Sequence, residues 1–104
     1  MGTATYKSVR EAIQGLAARG FSANFEMIGS TFQAVDKGKT FTPAELTIVE
    51  HHRFEGASDP EDLAVVYVIA AQDGTRGVLV DAYGVYANPE ISAFLKSVKM
   101  QESL

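Results

Sequence analysis

The chain contains no cysteine and no tryptophan, and only three of its 104 residues are proline. Without thiols there is no disulfide framework, no thiolate metal site and no cysteine nucleophile, and a reducing, cytoplasmic setting is expected. Basic residues are also scarce: nine Lys and Arg stand against thirteen Asp and Glu, a net charge of -4. That balance opposes attraction to a phosphate backbone, and the basic residues form no stripe interleaved with aromatics, so no nucleic-acid partner is expected. No apolar run approaches the roughly 18 to 20 residues that span a bilayer, and no basic segment followed by an apolar stretch opens the sequence, so no membrane association is expected. Nucleotide and hydrolase signatures are missing too. There is no GxGxxG after a strand, no Walker motif, no GxSxG elbow and no HExxH, and hence no cofactor is expected.

What is present is ordinary globular material, 46% hydrophobic with ten aromatic residues, six Phe and four Tyr. A chain of this length builds one core, so residues 1–104 are read as a single domain. Ser8-Val9-Arg10-Glu11 is a capping box, and Val9, Ala12, Ile13, Leu16 and Ala17 repeat at helical spacing up to Gly20, which suits a left-handed terminator. The pattern predicts a helix over 8–19. Phe21 to Ile28 alternates as a half-buried strand, Gly29-Ser30 suits a tight turn, and Thr31 to Val35 can return as its partner. Thr42-Pro43-Ala44-Glu45 offers a cap, a proline at the first helical position and a glutamate two residues on, which predicts one helical turn before a strand over Leu46 to Glu55.

Residues 56–62 form a dense turn cluster, read as a surface hairpin loop, and the strands Leu63 to Gln72 and Thr75 to Tyr83 flank Asp73-Gly74. Asn88-Pro89 then starts a terminal helix whose stripe, Ile91, Phe94, Leu95 and Val98, runs to about Met100. The fold class is therefore α+β, a two-layer domain with an antiparallel sheet of four or five strands, an N-terminal helix and a C-terminal helix.

If Asp73-Gly74 is a two-residue loop, Gln72 faces Thr75 and the hairpin's faces follow. One carries Val66, Val68, Ala70, Leu79, Asp81 and Tyr83, and the other Val65, Tyr67, Ile69, Val78 and Val80. Both are apolar, and two helices can cover only one. Each large side chain left in water forfeits about 1.5 to 3 kcal/mol of burial. Val65, Tyr67, Ile69, Val78 and Val80 are accordingly candidate interface residues, and a homodimer joined through this face is expected.

Polar chemistry is thinner. His51 and His52 are neighbours and point to opposite faces of a strand, so they cannot share a metal ion. Glu50 with His52 is a better pair, joined by Asp81 or another carboxylate, yet partly exposed histidines near a strand end are commonplace and no metal site is expected. His51, Arg53 and Glu55 alternate onto one face, where the arginine fork can hold a carboxylate or phosphate. Asp81, amid valines, needs a donor, for which Arg53 is a natural choice. Arg53, Glu55, Asp81 and Tyr83 are the candidate ligand-binding residues.

The segments Tyr6 to Ile13, Arg19-Gly20-Phe21, Arg53-Phe54-Glu55-Gly56, Asp59-Pro60 and Gly77 to Gly84 resemble a family of small uncharacterised bacterial proteins, some of which carry the name phosphoribosylpyrophosphate synthetase. The resemblance covers most of the chain and implies no established activity. Sites for that substrate pair an apolar strand with two consecutive acids and a Thr/Gly-rich loop; here Val78-Leu79-Val80 precedes the single acid Asp81 and then Ala82-Tyr83-Gly84-Val85. The residues favour a noncatalytic interaction or small-ligand-binding module that self-associates. The alternative is a small enzyme acting on a phosphorylated or carboxylated metabolite around Arg53, Glu55, Asp81 and Tyr83.

Overall fold

The computed structural model describes residues 6, 8–54, 64–82 and 88–101. Helix α1 spans Val9–Ala18, with the Glu11 amide donating to Ser8 Oγ at 3.1 Å and Gly20 ending it at a φ of 102°. Strands β1 (Ala23–Ile28) and β2 (Thr31–Ala34) form a hairpin, and β3 (Lys39–Phe41) pairs with β2. Only Gly29 has positive φ in the β1–β2 turn, as a type II′ bend requires at its first central position. A single helical turn, Pro43–Glu45, is closed by the Thr42 amide donating to the Glu45 carboxylate at 2.8 Å. Strands β4 (Leu46–Phe54), β5 (Ala64–Ala71) and β6 (Arg76–Ala82) follow, then helix α2 (Pro89–Leu95) and strand β7 (Lys99–Met100).

Among the described residues the chain is α+β with two helices, as the sequence patterns indicate, but the sheet is larger than four or five antiparallel strands. The seven strands among the described residues run in the order β3-β2-β1-β6-β5-β4-β7, and the β1–β6 and β4–β7 pairs are parallel. With three and two residues, β3 and β7 are too short to show alternation. The terminal helix correspondingly stops at Leu95 instead of Met100, because Lys99 and Met100 pair with Thr47 and Ile48.

This strand order forces the sheet to curl. β3 and β4 are separated by five strand spacings, about 24 Å if the sheet were flat, yet the five-residue step from Phe41 to Leu46 reaches at most about 18 Å. Curling brings the β1–β3 unit over one face of β4–β6. Phe25, Phe32 and Phe41 from that unit join Leu46, Ile48, Ile69 and Leu79 in one core, closed by Ile91 and Val98. The aromatic rings stack at 5.4 Å (Phe25 with Phe32) and 4.6 Å (Phe32 with Phe94). On the other face, Ala12 and Leu16 of α1 pack on Val66, Val68 and Val78. At the curled end Lys39 pairs with Asp73, and Lys37 Nζ donates to Thr75 Oγ1 at 3.3 Å, which ties the β2–β3 turn to the β5–β6 loop.

The β5–β6 register corrects the expected two-residue loop. The Ala71 amide donates to the Thr75 carbonyl at 2.7 Å and the Gly74 amide to the Ala71 carbonyl at 3.0 Å, leaving Gln72, Asp73 and Gly74 as a three-residue loop with Gly74 at a φ of 95°. One extra loop residue shifts one strand by one position and turns it over relative to its neighbour. Val66 therefore faces Val80, Val68 faces Val78, Tyr67 faces Leu79 and Val65 faces Asp81. The five expected interface residues do not share a face. Val65, Tyr67 and Ile69 look toward α2 and the curled unit, whereas Val78 and Val80 look toward α1. Val65, Ile69 and Val78 are buried within the chain's own packing, Tyr67 is half-buried, and only Val80, at 40%, is exposed.

Candidate functional site

The candidate site depends on an irregularity in β4. Its pairing with β5 steps from Ile48↔Ile69 to Glu50↔Val68, so Val49 is an extra residue, a β-bulge. Up to Ile48 the even-numbered residues face the curled core; past the bulge that side receives His51 and Arg53, and Glu50, His52 and Phe54 turn toward α1. Bulges re-aim side chains in this way, commonly beside binding sites.

On the α1 side the polar groups close on one another. Arg19, the C-cap of α1, makes a bidentate contact with Glu50, Nη1 to Oε2 at 2.9 Å and Nη2 to Oε1 at 3.0 Å. The Nε2 of His52 lies 2.7 Å from the same Oε2, and the Tyr6 ring meets the His52 ring edge-on at 5.0 Å. Tyr6 also accepts a longer contact from Arg19 at 3.4 Å, its ring lying where a Cβ on residue 15 would stand, 2.6 Å from the Tyr6 Cε1, which is why residue 15 is glycine. The Arg19 hydrogen bonds hold the Glu50 carboxyl below its usual pKa, against the opposing effect of burial, and raise that of the guanidinium. The Glu50–His52 pair proposed from the sequence is real, but its third member is a cation rather than Asp81, which lies on the opposite face. Among the described residues no three or more His, Cys, Asp or Glu gather as metal ligands.

On the other side, His51 and Arg53 of β4 stand opposite Tyr67 and Val65 of β5. With Met100 of β7 they line an open groove of about 400 Å³. Asp81 is the next residue across the sheet from Val65, and its carboxylate accepts from the Asn88 amide, at 3.3 Å, instead of pairing with Arg53. Burial raises the Asp81 pKa, and its hydrogen bonds with the Asn88 and Ala82 amides only partly oppose this. Burial also raises the Tyr67 phenol, next the charge of Asp81, with Arg53 opposing. Of the four residues expected to bind ligand, the structure puts Arg53 on the groove wall and Asp81 beside it; Glu55 and Tyr83 lie outside the described residues, as does the turn cluster at 56–62. Sequence reasoning missed Met100, whose strand pairing carries no local signal, and Tyr67 and Val65, which had been assigned to an interface. A second, smaller cleft of about 250 Å³ opens where β1 and β6 splay apart, over Leu79 and Ile91.

Comparison with known proteins adds no relative: no protein-family model, curated protein or solved structure matches the chain. No described helix is long and apolar enough to cross a membrane. The functional reading therefore rests on the residues themselves.

Proposed function

We propose that this protein is a noncatalytic module that binds a small carboxylated or phosphorylated ligand in the groove between β4, β5 and β7. The carrying observation is the bulge at Val49, which directs Arg53 and His51 into a concave surface floored by Val65 and walled by Tyr67 and Met100. An apolar floor with a few convergent polar groups is the general form of a ligand site, and a guanidinium fork suits either anion. The binding reading is favoured over the enzymatic one because Asp81, the acid beside the groove among the described residues, is engaged by the Asn88 amide at the start of α2, a structural contact. A self-associating surface would exclude Val65, Ile69 and Val78, which are buried within one copy.

The test is an amide-resolved NMR titration with acetate and with inorganic phosphate. Saturable shifts clustered at His51, Arg53, Val65 and Tyr67, abolished in Arg53→Gln, are the expected result. Shifts confined to other regions, or unchanged in Arg53→Gln, would overturn it.

A further inference from the structure

We infer that the cleft between β1 and β6 takes an extended peptide segment as an inserted strand, hydrogen-bonded to both walls. This surface is separate from the groove and does not depend on the anion-binding reading. β1 and β6 run parallel and pair at Ala23↔Gly77 and Asn24↔Val78, a junction that needs glycine at residue 77 because a Cβ there would lie 2.1 Å from the Ala23 carbonyl oxygen. Past Val78 the register stops, although β1 continues to Ile28 and β6 to Ala82, and a cleft of about 250 Å³ lies between them. The two strands part while each keeps its outer partner, β2 or β5.

Parity fixes which backbone groups face the cleft. In an antiparallel pair, successive residues direct both N–H and C=O alternately at the partner strand and away from it. The Val35 amide donates to the Asn24 carbonyl at 2.8 Å, so Asn24, Glu26 and Ile28 turn their backbone groups toward β2, and Phe25 and Met27 turn theirs toward β6. At the other wall the Ala71 amide donates to the Thr75 carbonyl, so Thr75, Gly77, Leu79 and Asp81 bond toward β5, and Val78 and Val80 face β1. The parallel junction uses the Val78 groups and the Phe25 amide. Left without a strand partner among the described residues are the Phe25 carbonyl and both the amide and the carbonyl of Met27 and of Val80.

Donors and acceptors on both walls define the occupant. A carboxylate or phosphate would meet carbonyl oxygens as well as amides. An edge strand of a second folded copy has one edge already taken up by its own sheet and can serve only one wall. An isolated extended chain has both edges free and presents amide and carbonyl to each, which is strand addition carried out on two sides at once. Its side chains alternate too, one set over the apolar cleft floor of Leu79 and Ile91 and the other beside Asn24 and Glu26, whose side chains already bond to each other at 3.2 Å. The expected partner is therefore a segment without proline that carries apolar residues at alternate positions.

The experiment uses the full chain and the peptide acetyl-Thr-Val-Thr-Val-Thr-amide, followed by hydrogen exchange and amide-resolved NMR. In the free protein the Met27 and Val80 amides should exchange about tenfold or more faster than those of Glu26 and Leu79, which are held in ladders. Slow exchange at Met27 and Val80 would overturn the inference, because the walls would already be paired. Added peptide should shift the Phe25, Met27 and Val80 resonances saturably and slow exchange at the two amides. Val80→Pro should abolish that response, since it removes a cleft-facing donor without removing a bond to β5. Peptides N-methylated on one edge, at the first, third and fifth residues, or on the other, at the second and fourth, should each bind about tenfold or more weakly than the parent. Weakening by only one of them would mean pairing to a single wall and overturn the insertion, as would equal binding of both or no response to the parent peptide.

Discussion

The two sides of β4 past its bulge carry alternate residues of a single five-residue stretch, yet they have opposite character. Toward α1, Glu50 and His52 are held in contacts with Arg19 and Tyr6 beside an apolar core. Toward the groove, His51 and Arg53 border an open concavity. The difference teaches that polar content alone does not mark a binding surface. Among the described residues Glu50 and His52 share one hydrogen-bonded cluster with Arg19 under the Tyr6 ring, whereas His51 and Arg53 line a groove.

The comparison breaks most severely if the α1 side is hollowed out. Leu16→Ala should lower stability by about 2 to 5 kcal/mol, because a fully buried side chain leaves a cavity against Val66 and Val68. Urea unfolding would measure it, and the groove's ligand response should survive wherever the variant remains folded. Next in size is Glu50→Gln, which removes a partly buried carboxylate from a bidentate pair. Because the Arg19 side chain is 45% exposed, screening limits the loss to about 1 kcal/mol at neutral pH.

The pH dependence of that loss has a fixed sign. The folded-state pKa of Glu50 is depressed below its ordinary 4.5, so its stabilisation is present above 4.5 and disappears as pH falls through the lower folded value. The gap between the native protein and Glu50→Gln should therefore narrow on acidification, as denaturation measured between neutral pH and pH 3 would show. Asp81 behaves in the opposite way. Its folded pKa is raised above 3.8, so the charged form is penalised in the fold, and stability present below 3.8 is lost as pH rises through the folded value. Asp81→Asn should thus be neutral to slightly stabilising at pH 7, by less than about 1 kcal/mol, and lose any advantage below pH 3.8. Asp81→Ala should be the worse of the two, since it strands the Asn88 amide. Arg53→Ala should remove groove binding while the chain stays folded, which the NMR titration and urea unfolding together would show.

Much of the local structure was legible. Ser8, Gly20, Gly29 and the Thr42-Pro43 start each terminate or begin an element where their chemistry requires, and the alternation of Ala23 and Phe25 with Asn24 and Glu26 identifies the buried side of β1. The hairpin faces were misread for a countable reason. Asp73-Gly74 is compatible with loops of two or three residues, and the choice inverts every pairing between β5 and β6. The Val49 bulge has no sequence mark, because a valine in a run of strand residues looks the same whether it is paired or extra. Arg19 reaches Glu50 across 31 positions, and no periodicity relates them.

The requirement for close approach is similarly invisible until the strands are placed. An ideal Cβ on residue 77 would lie 2.1 Å from the Ala23 carbonyl oxygen, so Gly77 is what admits the parallel β1–β6 junction that curls the sheet. In the sequence it is one glycine beside a hairpin, with no hint of the strand it meets.

The sequence by itself determined the α+β class, the helix caps, the turns and the strongly apolar character of the central strands, because each depends on groups a few residues apart. Tertiary structure decided which apolar residues share a face, which of them one copy buries, and where Arg53 meets Tyr67 and Met100. Side-chain direction in a strand is a matter of parity, and one uncounted residue in a loop or bulge reverses it; only the folded chain fixes that count.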